Sequence, residues 1–152
     1  MRLFPLLALA LAAPGFAQAP APAPAAAEAP IVAEARSFMA GYERDLIAGD
    51  RAAIAARHDR RGAWRLGQGE KSFLSWEAIR AHYAGPRWGP PSGFVWRELS
   101  YEPAGPDSVV VIGLFDWGAG EGRLPVTYSY TGLLVRQDGE LRIRLEDESA
   151  RR

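Results

Sequence analysis

The first part of the folded chain shows a helical pattern of apolar residues. From Ile31 to Leu46 an apolar residue recurs every three or four positions, which predicts a long amphipathic helix. Gly49 is predicted to end this helix, because glycine readily adopts the left-handed conformation found at helix C-termini. Asp50 stands where its side chain can cap a second, shorter helix that reaches Arg57.

A short strand and a third helix are predicted next. The strand is the segment GAWRL, around Trp64. Ser75 can cap the third helix, WEAIRAHYAG, whose larger apolar residues share one face. Gly85-Pro86 is predicted to end it, because proline removes a backbone donor and clashes with the preceding turn.

Beyond residue 93 the apolar period changes from helical to two, which indicates strands. Four strand candidates are separated by Gly, Pro and Asp, namely FVWRELSYE, SVVVIGLFDW, LPVTYSYTGLLVRQ and ELRIRLEDES. Helices followed by a run of hairpin-connected strands are typical of an α+β domain. The sequence therefore predicts helices gathered on one side of a curved antiparallel sheet.

The last two strands are joined by the strongest hairpin signal in the chain. Asp138-Gly139 suits a type I′ turn, in which both central residues have positive φ. If these two residues form the whole loop, Gln137 pairs with Glu140, and the register of both strands follows by counting outward from the turn.

This count places a carboxylate on the apolar side of the sheet. Tyr130 is predicted to face Asp147, and Gly132 to face Leu145, with Tyr128 nearby on the same side. Glycine at position 132 would leave a void, so the predicted arrangement is a phenol and a carboxyl opening onto a pocket. A shift of one residue would instead turn Asp147 outward.

Asp147 and Tyr130 are accordingly the candidate catalytic residues. Burial would raise the pKa of an aspartate and make it a general base, or a neutral hydrogen-bond donor, near pH 7. The alternative is an Asp147 that is solvated, or paired with an arginine, at a frayed strand end.

Further candidate ligand-binding residues are aromatic or ionisable. Trp117 could stack on a planar ligand and Asp116 could supply a second acid, although the glycine loop after them leaves open which one faces inward. His82 lies on the third helix and could face the sheet or solvent. Tyr42 and Trp64 are candidate pocket walls, with ordinary core packing as the alternative for both, and Tyr128 is a further ligand-binding candidate.

The N-terminus has the composition of an export signal and a tether. Residues 1–17 carry Arg2 and an apolar run too short to span a bilayer, which predicts a signal peptide cleaved after Ala17. Residues 18–30 are rich in Ala and Pro and predict an extended linker. Residues 31–149 then form one domain, periplasmic or secreted, with no membrane association after cleavage.

Charge and composition argue against several functional classes. The chain has 18 basic and 18 acidic residues, whereas a nucleic-acid-binding domain carries a basic excess. It has no Cys and only two His, so neither a zinc site nor another cofactor is predicted. No GxSxG elbow supports a serine hydrolase.

The order of elements resembles the NTF2-like superfamily, in particular its SnoaL-like and DUF4440-type branch. The resemblance rests on FMAGYERDLIAGDRAAIAARH, a short strand, WEAIRAHY and a meander that ends in EDES. It implies a cone-shaped sheet around the N-terminal helices, a pocket between them and often a homodimer. The family includes ketosteroid isomerases, cyclases, dehydratases and non-catalytic members. Many members end in HEHxS, whereas Leu145 and Asp147 stand at the two His positions here.

Two expectations about partners follow. The segment VVVIGLF is apolar on both parities and needs cover on both faces, which predicts a homodimer through the outer face of the sheet. The favoured function is binding of a small apolar or aromatic molecule in the cone. The alternatives are an isomerase, dehydratase or cyclase that uses Asp147 with Tyr130, and a domain whose pocket is filled by Trp64, Trp117 and Tyr130.

Overall fold

A computed structural model describes residues 29–118, 120 and 122–150 of the protein. The predicted signal peptide, and all of the predicted linker before residue 29, lie outside the described residues. The described residues contain three helices, α1 (Pro30–Ala48), α2 (Arg51–Ala56) and α3 (Trp76–Ala84). The six strands are β1 (Ala63–Gly67), β2 (Glu70–Leu74), β3 (Phe94–Gly105), β4 (Ser108–Trp117), β5 (Val126–Gln137) and β6 (Glu140–Ala150).

The sheet has the strand order β2-β1-β6-β5-β4-β3. Neighbouring strands are antiparallel except β1 and β6, which run parallel. The sheet is therefore mixed, whereas a wholly antiparallel sheet was predicted. Strand β2 was missed by the sequence pattern. It pairs with β1 through a tight reversal in which Gln68 and Gly69 both have positive φ.

Local signals place the helix ends. Gly49 ends α1 with a φ of 67°, in the left-handed region, as predicted. The Asp50 side chain caps α2 by accepting a hydrogen bond from the amide of Ala53 at 3.0 Å. Ser75 caps α3 by accepting from Ala78 at 3.2 Å. Both predicted caps are therefore confirmed.

The core lies between the helices and the concave face of the sheet. Met39 of α1, Ile54 of α2 and Ile79 of α3 belong to one buried cluster together with inward-facing residues of β4, such as Val109 and Val111. The alternate residues of β4 lie on the outer face of the sheet, where Ile112 is 47% exposed. No helix within the described residues is long and apolar enough to cross a membrane.

Candidate functional site

A β-bulge in β6 decides which acids enter the cone. The turn at Asp138-Gly139 forms with both residues at positive φ, and Gln137 pairs with Glu140 as predicted. The predicted register holds as far as Leu134 and Ile143, and there it shifts by one residue.

The extra residue is Arg144, so Leu133 pairs with Leu145. The bulge falls where the chain beside β6 makes a turn between Asp59 and Gly62. Arg144 donates a hydrogen bond to the carbonyl of Gly62 at 2.5 Å, which fixes the extra residue on this turn.

The predicted pair of Tyr130 and Asp147 is consequently wrong. Tyr130 lies opposite Glu148, and Asp147 lies opposite Thr131 on the outer face. There Asp147 accepts a hydrogen bond from the Ser149 hydroxyl at 3.0 Å. Because side chains alternate along a strand, the bulge turns the glutamates on either side of Asp147 inward.

The void predicted at Gly132 is occupied by the phenol of Tyr130. A Cβ atom at Gly132 would lie 2.5 Å from the Tyr130 Oη, because the tyrosine ring folds over the glycine on the same strand. Gly132 pairs with Glu146 and not with Leu145. The glycine therefore makes room for a side chain of the protein itself, and the space available to a ligand lies elsewhere.

Glu146 and His58 form a buried pair. The His58 Nδ1 lies 3.1 Å from the carbonyl of Ile54, which only accepts, so Nδ1 must carry a hydrogen. The Nε2 atom lies 3.4 Å from the Glu146 Oε1, and both residues are only 3% exposed.

The groups around Glu146 favour its charged form. Burial tends to raise the pKa of Glu146, but the hydrogen bond and charge of His58, together with Arg65, outweigh it and hold the pKa below its usual value. Glu146 is therefore a carboxylate, and the His58 ring is its buried hydrogen-bond partner.

The pKa of Glu148 is shifted in the opposite direction to that of Glu146. Burial, followed by the negative charge of Glu146, raises the pKa of Glu148 to about 8, although Arg65 acts against this shift. Near pH 7 its carboxyl is mostly neutral and can donate a hydrogen bond. Two glutamates on one strand face thus differ in protonation because only one of them has a histidine partner.

Arg65 lies on the neighbouring strand β1, beside both Glu146 and Glu148. It pairs with Glu146 across the parallel ladder, and its Nη1 donates to the His82 Nε2 at 2.9 Å. Burial tends to lower its pKa, but Glu146, Tyr83 and Glu148 raise it on balance. Partial burial and Arg65 lower the pKa of His82, so this imidazole stays neutral and can accept the hydrogen bond.

Three buried polar atoms of the cone interior lack a hydrogen-bond partner among the described residues. They are the Trp96 Nε1, the Tyr130 Oη and the Glu146 Oε2. The rings of Trp96 and Tyr130 are in contact, with centroids 5.0 Å apart. Burial, and next the charge of Glu146, raise the pKa of Tyr130, so its phenol keeps its proton. Unsatisfied buried groups of this kind are what a bound water or ligand atom would satisfy.

A small internal cavity and an outer cleft meet at Arg65 and Glu148. The cavity measures about 40 Å³ and has aromatic walls, which include Tyr42, Tyr83, Trp88, Phe94, Trp96 and Trp117. The cleft measures about 380 Å³ and is mostly polar, with Gln68, Glu70, Lys71, Ser72 and Tyr128 on its walls. Arg65 and Glu148 line both spaces and therefore form the boundary between them.

The structure brings only some of the other predicted ligand-binding residues to the site. Tyr42 and Trp117 line the cavity, and Tyr128 lines the cleft. His82 touches the site through its hydrogen bond with Arg65.

Asp116 and Trp64 lie on the outer face. Asp116 accepts from Thr127 at 2.6 Å and forms an ion pair with Arg97 at 3.3 Å. Trp64 packs on Phe73, with ring centroids 5.4 Å apart, and is 40% exposed. The alternation of side chains along β4 and β1 turns both residues away from the cavity.

The residues that sequence reasoning missed are Arg65, Glu146, Glu148, His58 and Trp96. One signal was available for the two glutamates, because they share a parity and any one-residue bulge would turn both inward together. Nothing local pointed to His58, since its partner is 88 positions away. Within the described ranges, no group of three or more His, Asp or Glu side chains could hold a metal ion.

Solved structures with the same architecture cover most of this chain. An NTF-2 like protein of unknown function from Shewanella oneidensis MR-1 has a TM-score of 0.65 and 17% identity, over 78% of this chain and 98% of that one. A ketosteroid isomerase-like protein from Erwinia carotovora atroseptica SCRI1043 has a TM-score of 0.65 and 14% identity, over 80% and 96%.

A cystatin-like fold protein from Burkholderia xenovorans LB400 has a TM-score of 0.65 and 24% identity, over 79% of this chain and 91% of that one. No protein-family model and no curated protein sequence matches the chain. Identities this low speak to architecture alone. The three helices on a curved six-stranded sheet, together with these neighbours, show that the chain has the NTF2-like α+β cone fold.

Proposed function

We propose that this domain binds a small molecule where the outer cleft meets the aromatic cavity, with Glu148 and Arg65 as the orienting groups. The observation that carries the proposal is the position of these two side chains, which line both spaces at once. Ligand sites combine apolar walls with a few convergent polar groups, and this boundary has that composition.

The volumes define how a ligand would lie. A cavity of about 150 Å³ is known to hold benzene, so the cavity of about 40 Å³ here admits only one or two heavy atoms. The cleft of about 380 Å³ falls within the usual range of small-molecule sites. The body of the ligand would therefore occupy the cleft and insert a polar end past Glu148, toward the unpartnered Trp96 indole.

The alternative of a domain whose pocket is filled by its own side chains is less well supported. That interpretation expected Trp64, Trp117 and Tyr130 to pack on one another, whereas Trp64 lies on the outer face with Phe73. Tyr130 does fill the space above Gly132, but the neighbouring cavity and cleft remain.

The experiment compares two acids that are adjacent on β6. Small aromatic compounds would be screened by NMR against the wild type, Glu148→Leu and Asp147→Asn, with the amides of Gly67 and Tyr128 as reporters of the cleft. Binding should weaken about tenfold or more in Glu148→Leu and stay within about twofold in Asp147→Asn, because Asp147 lies on the other face. Equal binding by all three proteins would overturn the proposed site.

A second candidate function is acid–base catalysis of the isomerase, dehydratase or cyclase type. It is favoured by the opposite pKa shifts of Glu146 and Glu148, since acid–base sites pair titratable groups whose environments push their pKa values apart. Glu148 would take the proton-transfer role first assigned to Asp147, with the neutral phenol of Tyr130 opposite it on β5. A ketosteroid isomerase-like protein among the structural neighbours is consistent with this candidate.

Proton transfer can be tested without knowing the natural substrate. Conversion of 3-cyclohexenone to its conjugated isomer needs one proton removed and one returned, and it is followed by ultraviolet absorbance. Catalysis by the wild type that Glu148→Gln abolishes and Asp147→Asn preserves would support the enzyme. Binding in the cleft with no such catalysis would favour the binding module.

Export and assembly are proposed on sequence grounds. Cleavage after Ala17 would leave a mature chain that begins at Gln18, which the intact mass of the periplasmic or secreted protein would test. A homodimer through the outer sheet face is supported by the exposed apolar residues Trp64, Phe73 and Ile112. Membership of the DUF4440-type branch remains a prediction from sequence resemblance.

A further inference from the structure

Arg65 is a partly buried cation whose bonding capacity is largely unused. A guanidinium has five N–H donors, and the one hydrogen bond that this side chain makes within residues 29–118, 120 and 122–150 goes to the neutral ring of His82. In the same residues it has no carboxylate within ion-pair distance. Buried or half-buried arginines normally have an anionic partner, so the position calls for one.

The nearby carboxylate of Glu146 is already engaged. Its Oε1 contacts the His58 ring at 3.4 Å on the buried side of the site. Glu146 therefore attracts Arg65 through space without forming the direct pair that would satisfy the guanidinium. The remaining donors of Arg65 are left for a group that enters from the cavity or the cleft, both of which it lines.

The groups around Arg65 at the inner end of the cleft are also donors. The Glu148 side chain makes no hydrogen bond within the described residues and is mostly protonated near pH 7, because burial and Glu146 raise its pKa to about 8. Ser72 pairs with Arg65 across the β1–β2 ladder, and Lys71 lines the same cleft. A guanidinium, an ammonium, a hydroxyl and a carboxylic acid together complement an acceptor with negative charge.

We propose that the ligand of this site carries a carboxylate group, which Arg65 binds by charge and Glu148 binds by donating a hydrogen bond. This inference rests on the proposed binding function and specifies its chemistry. A planar carboxylate matches the fork of a guanidinium in a bidentate pair. A doubly charged phosphate fits less well, because Glu146 and Glu70 lie close by and would repel the additional charge.

The test compares phenylacetate with phenylacetamide, which has almost the same shape and no charge. Affinity is measured by NMR titration at pH 6.5, with the amides of Gly67 and Tyr128 as reporters. Phenylacetate should bind the wild type at least about tenfold more tightly, and Arg65→Gln should remove this advantage. Arg65→Lys, which keeps the charge without the fork, should keep part of it.

Two further variants sharpen the result. Glu148→Gln should retain the preference, because an amide N–H can replace the carboxyl O–H as donor. Arg60→Gln is the matched control, since Arg60 is exposed and its one hydrogen bond is made by the backbone. Circular dichroism of Arg65→Gln and Arg65→Lys would establish that both variants are folded.

The outcomes separate this inference from the function on which it rests. Equal binding of the acid and the amide at the cleft would overturn the carboxylate inference and leave the binding function standing. If neither compound shifts the amide signals of the cleft, both the carboxylate inference and the proposed binding function would be overturned. An undiminished preference for the acid in Arg65→Gln would also overturn the assignment, because the charge would then be recognised elsewhere.

Discussion

Tyr130 lies opposite Glu148 across the last two strands, whereas the turn alone would have placed it opposite Asp147. The difference is the one extra residue, Arg144, which interrupts β6 beside the turn between Asp59 and Gly62. Two acids therefore face the interior and one faces outward. Each consequence below can be measured on the isolated protein.

Replacement of the His58 imidazole by an apolar ring should leave Glu146 as an unpaired buried carboxylate. We expect His58→Phe to lower the free energy of unfolding by about 3 kcal/mol, measured by urea denaturation at pH 7. The double variant His58→Phe/Glu146→Gln should recover part of this loss, because a neutral amide costs less to bury than an unpaired charge. Glu102→Gln, at an exposed position, is the control and should change stability by less than about 0.5 kcal/mol. Equal losses in the single and double variants would contradict the pairing.

The raised pKa of Glu148 predicts a pH-dependent stability. In the unfolded chain this carboxyl loses its proton near pH 4.5, whereas in the folded state it holds the proton until pH about 8. The unfolded state therefore binds fewer protons between these values, and the contribution of Glu148 to stability falls as the pH rises from 5 to 8. Glu146 and Asp147 strengthen the shift, and Arg65 opposes it.

The measurement is the difference between the wild type and Glu148→Gln across this pH range, so that the titration of His82 is largely cancelled. Between pH 5 and 8, the free energy of unfolding of the variant should rise by on the order of 2 kcal/mol relative to that of the wild type, with allowance for partial exposure of the carboxyl. Asp147→Asn serves as control on the outward face of the same strand. A constant difference over the range would show that Glu148 titrates normally.

The contact between Tyr130 and Gly132 predicts a specific steric cost. Gly132→Ala would place a Cβ 2.5 Å from the tyrosine oxygen, so the ring would have to move within a packed core. We expect a loss of about 1–3 kcal/mol, measured by urea denaturation. The added Tyr130→Phe substitution removes the nearest atom and should reduce the loss. An alanine variant as stable as the wild type would mean that the ring does not lie over the glycine.

The outer sheet face predicts the oligomeric state. If two copies cover this face, light scattering at micromolar concentration should give the mass of a dimer, and Ile112→Glu should reduce it to that of a monomer. Leu124→Glu is the control, because Leu124 is 87% exposed and lies between β4 and β5, outside both strands. A monomeric mass for the wild type would contradict the dimer.

The sequence by itself determined the local features of this protein. Gly49, Asp50 and Ser75 end or cap the helices through contacts with residues a few positions away, and the Asp138-Gly139 turn depends on its own backbone angles. The apolar periodicity also predicted the long strands, because an alternating pattern requires only that one face of a strand is buried and the other is exposed. These features need no knowledge of what lies beside them.

Only the tertiary structure decided which face of β6 carries which acid. The bulge at Arg144 depends on a turn about 80 positions earlier in the chain, and no pattern within β6 encodes that neighbour. The same holds for the charged carboxylate of Glu146 beside His58, and for the neutral carboxyl of Glu148. Their protonation is set by burial and by charges from distant segments, which exist only once the sheet has closed around the helices.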